Sequence, residues 1–406
     1  MSNVAIIGGC GRLGLNLALV AANKGHNVTA IDIDDERISE ISQGNLPFIK
    51  AGAELYLEEA LKNKKLSLST EYDLIGSAEV IVVTIGTPVD SNLNPSLEPV
   101  AGAIFDLSEF LKKDQLIIFR NAIAPAVTNR IKTLIEDKTG FKIGKDIFLV
   151  FAPELAEENG NIHDLLKAAQ PVGAYEENSF RKAQKFFDTI TKGSITWVSP
   201  EEALLAKLMT NMVSYIQGAC ANEFYLIAQS FNANINQIIK ATENALPSPN
   251  PNNAGPGMHK EGWSLVERVP FADLVTTAFK INEAMPAQIV KQLESYNKIK
   301  KVAILGMTNK ANYDDARSSL SYKLRKLLFY KDYDVVCYDP YLPEFSDSSV
   351  LQNSDAVILM TAHNEFANLE KVNRLISNSN CVFLDINGFW QELKTRQAQE
   401  WGSAHK

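Results

Sequence analysis

Short apolar runs punctuate the first half of the chain at 4–7, 28–31, 80–85, 116–119 and 147–151. Each is too short for a buried helix and is bounded by polar or glycine-containing segments, the pattern of strands covered on both faces. Stretches with helical spacing, such as 13–24 and 53–62, lie between some of them. This alternation predicts an open, doubly wound parallel sheet. The pattern changes at Ser199-Pro200-Glu201-Glu202, where an N-cap serine, a proline at the first helical position and a glutamate three after the cap open a helix. No proline follows before Phe231, so one helix of roughly 30 residues is expected. Residues 232–245 continue helically. Residues 247–262 hold four prolines and three glycines, which precludes regular structure. Helical spacing returns over about 271–298. Apolar runs at 302–305, 335–338, 356–360 and 382–384, with a helical segment at 319–330, spell a second α/β unit. The expected fold is α/β, with two Rossmann-like doubly wound domains joined by a long central helix. The expected boundaries are 1–195, 196–298 for a helical connector and dimerisation segment, and 299–406.

The composition narrows the function classes. Of the 406 residues, 46% are hydrophobic and 22% charged, the balance of an ordinary globular chain. The net charge of −8 disfavours general binding to nucleic acid. No apolar run approaches the ~20 residues that span a bilayer, so no membrane association is expected. The four cysteines, Cys10, Cys220, Cys337 and Cys381, form no CxxC pair. Neither a disulfide scaffold nor a metal site is expected, and a reducing cytoplasm fits.

The first chemistry lies in Gly9-Cys10-Gly11-Arg12-Leu13-Gly14, a GxGxxG between an expected strand and an expected helix. Gly9 permits the tight turn, Gly11 lets a pyrophosphate approach the backbone, and Gly14 lets helix and strand pack closely. The N–H groups of Arg12 and Leu13 open the helix and suit an anion. A second expected strand ends at Asp32, whose carboxylate is placed for a ribose 2′-OH and would repel a 2′-phosphate. NAD is therefore the expected cofactor. Arg37 either softens that preference or sits on a solvated helix face, and Cys10 reads as a small filler.

Further segments carry a family resemblance. They are Ile41-Ser42-Gln43-Gly44-Asn45-Leu46-Pro47-Phe48, Gly86-Thr87-Pro88-Val89-Asp90, Phe151-Ala152-Pro153-Glu154, and the run from Glu202 through Lys207 and Asn211 to Asn222-Glu223. Ile281-Asn282-Glu283-Ala284-Met285-Pro286 and Lys310 through Asp314-Asp315 to Arg317 continue it. In this order and spacing the chain resembles the UDP-glucose/GDP-mannose (nucleotide-sugar) 6-dehydrogenases, above all the UDP-N-acetylmannosamine branch. The resemblance implies NAD-dependent oxidation of a nucleotide sugar, a homodimer built on the central helix, and a role in polysaccharide biosynthesis. It implies that Glu154 is the family glutamate and that Lys207 and Asn211 are the pair that steadies an oxyanion. Four residues apart on one helix, they point the same way. It places Thr87, Pro88 and Ala122 against the cofactor, with Ala122 standing where the family has a hydroxyl. Gly255, Gly257, Lys310 and Arg317 are implied substrate contacts. The charges of Lys310 and Arg317 could instead be paired with Asp314 and Asp315.

The family nucleophile has no counterpart. Family members trap the aldehyde on a cysteine that follows a glycine-rich loop. Here that loop reads Gly255-Pro256-Gly257-Met258-His259-Lys260-Glu261-Gly262. An ungapped match puts Gly262 at the cysteine position, and a match with two glycines lost puts Lys260 there. Cys220 lies nine residues beyond Asn211 and reads as a core cysteine. His259, Lys260 and Glu261 are replacement acid–base candidates, or solvated charges on a linker. The expected activity is oxidation of a CH–OH group, limited to two electrons. A transient oxidation and re-reduction, as in an epimerase, and a family member that only binds remain alternatives.

Overall fold

The computed structural model describes residues 1–86, 98–156, 160–255, 261–262, 264–265, 269 and 272–390. The chain divides into two compact units: Met1–Thr210 with Trp263–Leu265, and Asn211–Gly262 with Val266–Lys406.

In the first unit the strands are β1 (Asn3–Ile7), β2 (Asn27–Ile31), β3 (Leu66–Ser69), β4 (Val80–Val83), β5 (Leu116–Phe119), β6 (Phe148–Phe151), β7 (Gln170–Ala174) and β8 (Ile195–Val198). They form one sheet in the order β3-β2-β1-β4-β5-β6-β7-β8, parallel except where β7 meets β6. The first six follow the dinucleotide-fold order, with the switch point between β1 and β4. Alternate residues serve opposite faces. Val4, Ile6, Val80, Val82 and Val150 join one core, and Ala5, Ile7, Ile81, Val83 and Leu149 the other. Helices α1 (Arg12–Asn23), α2 (Asp35–Ser42) and α3 (Ala53–Lys62) follow β1 and β2, and α4 (Glu98–Ser108), α5 (Thr128–Thr139) and α6 (Glu177–Ile190) complete the layers. α1, α3 and α6 cover the first core, α4 and α5 the second.

Helix α7 (Pro200–Ser230) runs for 31 residues and crosses from one unit into the other. Its start is a reciprocal capping box. The Ser199 N–H donates to Glu202 Oε2 at 2.7 Å, and the Glu202 N–H donates to Ser199 Oγ at 3.2 Å. Those bonds hold the Glu202 carboxyl below its ordinary range. The expected continuation over 232–245 is shorter than its pattern. Asn232 turns to φ +53°, and α8 covers only Ile235–Ala241.

The second unit adds α9 (Asp273–Leu293), β9 (Lys301–Leu305), α10 (Leu320–Phe329), β10 (Asp334–Tyr338), β11 (Ala356–Leu359), α11 (Leu369–Ile376) and β12 (Val382–Leu384). Its parallel sheet runs β10-β9-β11-β12, with the switch point between β9 and β11. Among the described residues no helix is long and apolar enough to cross a membrane.

The N-terminus of the first unit is pinned by His26, which is 2% exposed. Its Nδ1 accepts the Ser2 N–H at 3.1 Å, and its Nε2 bonds Thr189 Oγ1 at 2.8 Å. Burial holds the imidazole below its ordinary pKa of 6.5. The folded state therefore refuses a proton that the unfolded chain accepts as pH falls below that value, and stability is lost in that direction. We expect the melting temperature to fall from about pH 6.5 downward, and His26→Gln to flatten that part of the profile in pH-dependent thermal melts.

Candidate active site

The GxGxxG loop is shaped by close approaches. A Cβ on Gly9 would lie 2.7 Å from Ala30 Cα and from the Ile6 carbonyl oxygen. One on Gly14 would lie 2.3 Å from the Gly8 carbonyl oxygen. Gly11 is the exception, because among the described residues only the Gly8 oxygen comes near, at 3.3 Å, which leaves room for a ligand to approach. Gly11 is also the N-cap of α1 and supplies no side-chain cap. The first turn of α1 thus suits an anion. The Arg12 guanidinium lies 5.0 Å from the Phe48 ring centroid.

Asp32 ties this loop to β2. Its Oδ2 accepts the Cys10 N–H at 2.9 Å, and its Oδ1 accepts the Ile33 N–H at 2.9 Å. Burial first, and then the Asp32 charge, push the Cys10 thiol up to about 12, which makes it inert. Arg37 is engaged elsewhere. Its Nε pairs with Asp34, the N-cap of α2, at 3.2 Å, and its side chain is half exposed. An open helix N-terminus, a glycine cradle and an acid at the end of β2 fit NAD.

At the end of β5, Ala122 is half-buried and contributes no hydroxyl. Its neighbour Asn121 is buried, with Nδ2 donating to the Ile85 carbonyl at 2.7 Å. Glu154, past the end of β6, is also buried, and its Oε2 pairs with Arg120 Nη2 at 3.3 Å. Arg120 further donates to the Ala152 carbonyl at 3.1 Å and to Gln170 Oε1 at 2.7 Å. Burial lowers the Arg120 pKa, and Glu154 opposes that shift. Sequence reasoning missed Arg120, although an arginine closing the apolar run Leu116–Phe119 was a visible signal.

On α7, no described residue forms a hydrogen bond or ion pair with Lys207. One turn further, Asn211 Nδ2 donates to Glu261 Oε2 at 2.7 Å. The residues expected at Thr87, Pro88, Gly257, His259 and Lys260 lie outside the described residues.

In the second unit, the loop after β9 reaches the switch point. Arg317 Nη2 binds Asp315 Oδ2 at 2.6 Å, and its Nε reaches both carboxylate oxygens, yet its side chain stays 64% exposed. The paired alternative is therefore the arrangement observed for Arg317. Lys310 is half-buried in the same loop, and its carbonyl accepts Thr308 Oγ1 at 3.0 Å. The loop is held by Asp339 and His363, both fully buried. Asp339 Oδ2 accepts the N–H groups of Met307 and Thr308, at 2.6 and 2.9 Å. His363 Nδ1 accepts the Asn312 N–H at 2.8 Å, so the ring proton sits on Nε2, 3.0 Å from Asp339. Burial alone would raise the Asp339 carboxyl. The His363 bond and the backbone N–H groups of Tyr341 and Thr308 outweigh it and lower the pKa. Asn252 crosses from the Pro-rich segment, of which Gly255 is the last described residue before 261. Its Nδ2 donates to the Thr308 carbonyl, and its Oδ1 accepts the Leu320 N–H at 2.7 Å, closing the N-terminus of α10.

Comparison with known proteins places the two ends of the chain in one family. Residues 2–191 match the NAD binding domain of the UDP-glucose/GDP-mannose dehydrogenase family, and residues 303–392 match the UDP binding domain of the same family. The chain belongs to this dehydrogenase family. It is similar to a UDP-N-acetyl-D-mannosamine dehydrogenase of Methanococcus aeolicus, at 28% identity over 91% of this chain and 86% of that protein. A UDP-glucose 6-dehydrogenase of Rickettsia felis is 28% identical over 83% of this chain and 78% of its own length. Among solved structures, the UDP-D-ManNAc dehydrogenase of Pyrococcus horikoshii superimposes with a TM-score of 0.87 at 26% identity, covering 95% of this chain and 96% of that one. As a member of this family the chain is an NAD-dependent nucleotide-sugar dehydrogenase in kind, and its first unit carries the NAD site.

Two outcomes follow from this geometry. Asp32→Ala removes a charged hydrogen-bond acceptor, and we expect the NAD dissociation constant to rise about tenfold or more by calorimetry. Arg120→Met strips a buried carboxylate of this cation and should destabilise the fold by about 3–5 kcal/mol in denaturant titrations, with Arg120→Met/Glu154→Gln recovering most of the loss.

Proposed function

We propose that the protein oxidises one CH–OH group of a UDP-sugar with NAD and stops after two electrons. The cradle of Gly9, Gly11 and Gly14 with Asp32 at its rim is the observation that carries the cofactor half. When bound there, NAD accepts a hydride. The chain's part is to hold the sugar hydroxyl and manage its proton. Lys207 supplies a positive charge one turn from the Asn211 amide, on the family's helix positions. The loop bearing Lys310 and Arg317, set at the β9/β11 switch point, presents basic side chains for a diphosphate. The division into a NAD segment (1–195), a central helical segment (196–298) and a UDP-sugar segment (299–406) belongs to the same proposal.

The two-electron limit rests on the cysteines. Oxidising an aldehyde further requires an adduct that can surrender hydride, for which a thiol serves well. No cysteine lies between Pro247 and Pro270. Cys220 sits nine residues past Asn211 on α7, and at about 100° per residue that is roughly half a turn round the helix, on the opposite side. Burial pushes the thiol of Cys337, on β10, up to about 11, and that of Cys381, just before β12, up to about 12. With NAD and a panel including UDP-N-acetylmannosamine and UDP-glucose, we expect one NADH per sugar consumed and a product lighter by two hydrogens. Abundant uronate with two NADH per sugar would overturn the limit. An altered sugar configuration with no net NADH would favour the epimerase.

We further propose a homodimer through α7, working in cytoplasmic polysaccharide biosynthesis. Met209, Val213, Phe224 and Ile227 fall within roughly 60° of arc on the helix. All four are exposed, Met209 and Val213 at 53% each. A contiguous apolar stripe of this kind marks a partner surface. Light scattering should give a dimer mass for the wild type and a monomer mass for Phe224→Glu/Ile227→Glu. A monomeric wild type would end this part of the proposal.

A further inference from the structure

The loop that lacks a thiol brings a buried carboxylate to α7 instead. Glu261 is 7% exposed and accepts the Asn211 Nδ2–H at 2.7 Å. Its place is set by packing. A Cβ on the next residue, Gly262, would lie 2.4 Å from Phe279 Cζ and 3.4 Å from Met212 Sδ, so this backbone lies flat against α7 and α9. The Phe279 ring is itself tilted against Tyr215, with centroids 5.0 Å apart.

A carboxylate in this position conflicts with a pure oxyanion hole. Such a hole collects donors where negative charge develops. Here one N–H of the expected donor already solvates an anion, and a second negative charge beside it would be repelled. The same arrangement suits the opposite task, which is to accept a proton.

We propose that Glu261 is the general base of the oxidation, a reading that rests on the dehydrogenase activity proposed above. The C–H bond of the sugar carbinol breaks with its electron pair leaving as hydride to NAD. The O–H bond breaks, its proton passes to a Glu261 carboxylate oxygen, and its electron pair becomes the second bond of the carbonyl. The products are the carbonyl compound, NADH and a neutral Glu261 carboxyl, which returns its proton to water. Because the proton leaves with the hydride, no full oxyanion accumulates beside Glu261. The neutral carboxyl can then donate a hydrogen bond to the new carbonyl oxygen, with Asn211 as its orienting partner.

Glu261→Gln keeps the shape and an acceptor for Asn211 while removing the base. We expect kcat to fall about 100-fold or more, KM to change less than about threefold, and the acid limb of the kcat–pH profile to disappear. Thermal melts and calorimetry with NAD and with UDP should match the wild type. A Gln variant within about threefold of wild-type kcat, or a slow one that keeps the wild-type acid limb, would overturn the assignment. Should the Gln variant fail to fold, Glu261→Asp carries the test: an acid limb with a displaced midpoint supports the role, and an unchanged midpoint refutes it. A wild type that binds NAD and UDP yet releases no NADH with any UDP-sugar takes both readings down together, whereas turnover insensitive to Glu261 removes this one alone.

Discussion

Both units depend on one constraint, an acid at the end of the second strand of each sheet that captures backbone N–H groups of the loop after the first. Asp32 takes the Cys10 N–H, and Asp339 takes those of Met307 and Thr308. A glycine-bearing loop would otherwise lose little by wandering, since glycine gives up the most backbone freedom on ordering. A carboxylate that accepts backbone N–H groups recovers part of that cost. The two acids then part ways. Among the described residues Asp32 bonds only to backbone, whereas Asp339 also accepts from the His363 side chain as well as from the Tyr341 N–H. The second, fully buried, serves its own fold.

The same divergence marks the helices that follow each loop. α1 begins with no side-chain cap, while α10 begins with Ser319 as N-cap and Asn252 on the Leu320 N–H. An anion can therefore use the positive end of α1 directly. In the second unit that helix end is closed, and the loop before it carries the half-buried Lys310 and the exposed Arg317, the latter paired with Asp315.

The sequence was most legible where burial is two-sided. Strands such as Val80–Val83 and Leu116–Phe119 are fully apolar and stand out of any window. The start of α7 was equally plain, because capping chemistry is local. The strand Leu66–Ser69 was missed because it alternates apolar and polar residues at a sheet edge, and Ile195–Val198 because all four of its residues keep some exposure. The glycine cradle and Asp32 were readable for the same reason as the cap, since motif and spacing are short-range. The partners of the site residues were not. Arg120 meets Glu154 across 34 positions and Asn211 meets Glu261 across 50, and no periodicity encodes such pairings. The thiol-free loop was visible in the sequence, but the carboxylate beside Asn211 needed three dimensions.

Asn252 gives the Pro-rich segment an unusual status. With its amide bonded to the Thr308 carbonyl, Ser319 and Thr361, and its oxygen on the Leu320 N–H, it is stitched into the nucleotide-binding sheet. Two residues earlier, the Asn250 backbone exchanges both of its hydrogen bonds with the Asn222 amide of α7, each at 2.9 Å. The stretch from Asn250 to Asn252 is thus clamped between a helix and a sheet, and it surrendered most of its conformational entropy during folding. Whatever ligand it meets is therefore greeted by a nearly rigid template, and little binding energy is diverted into ordering these residues.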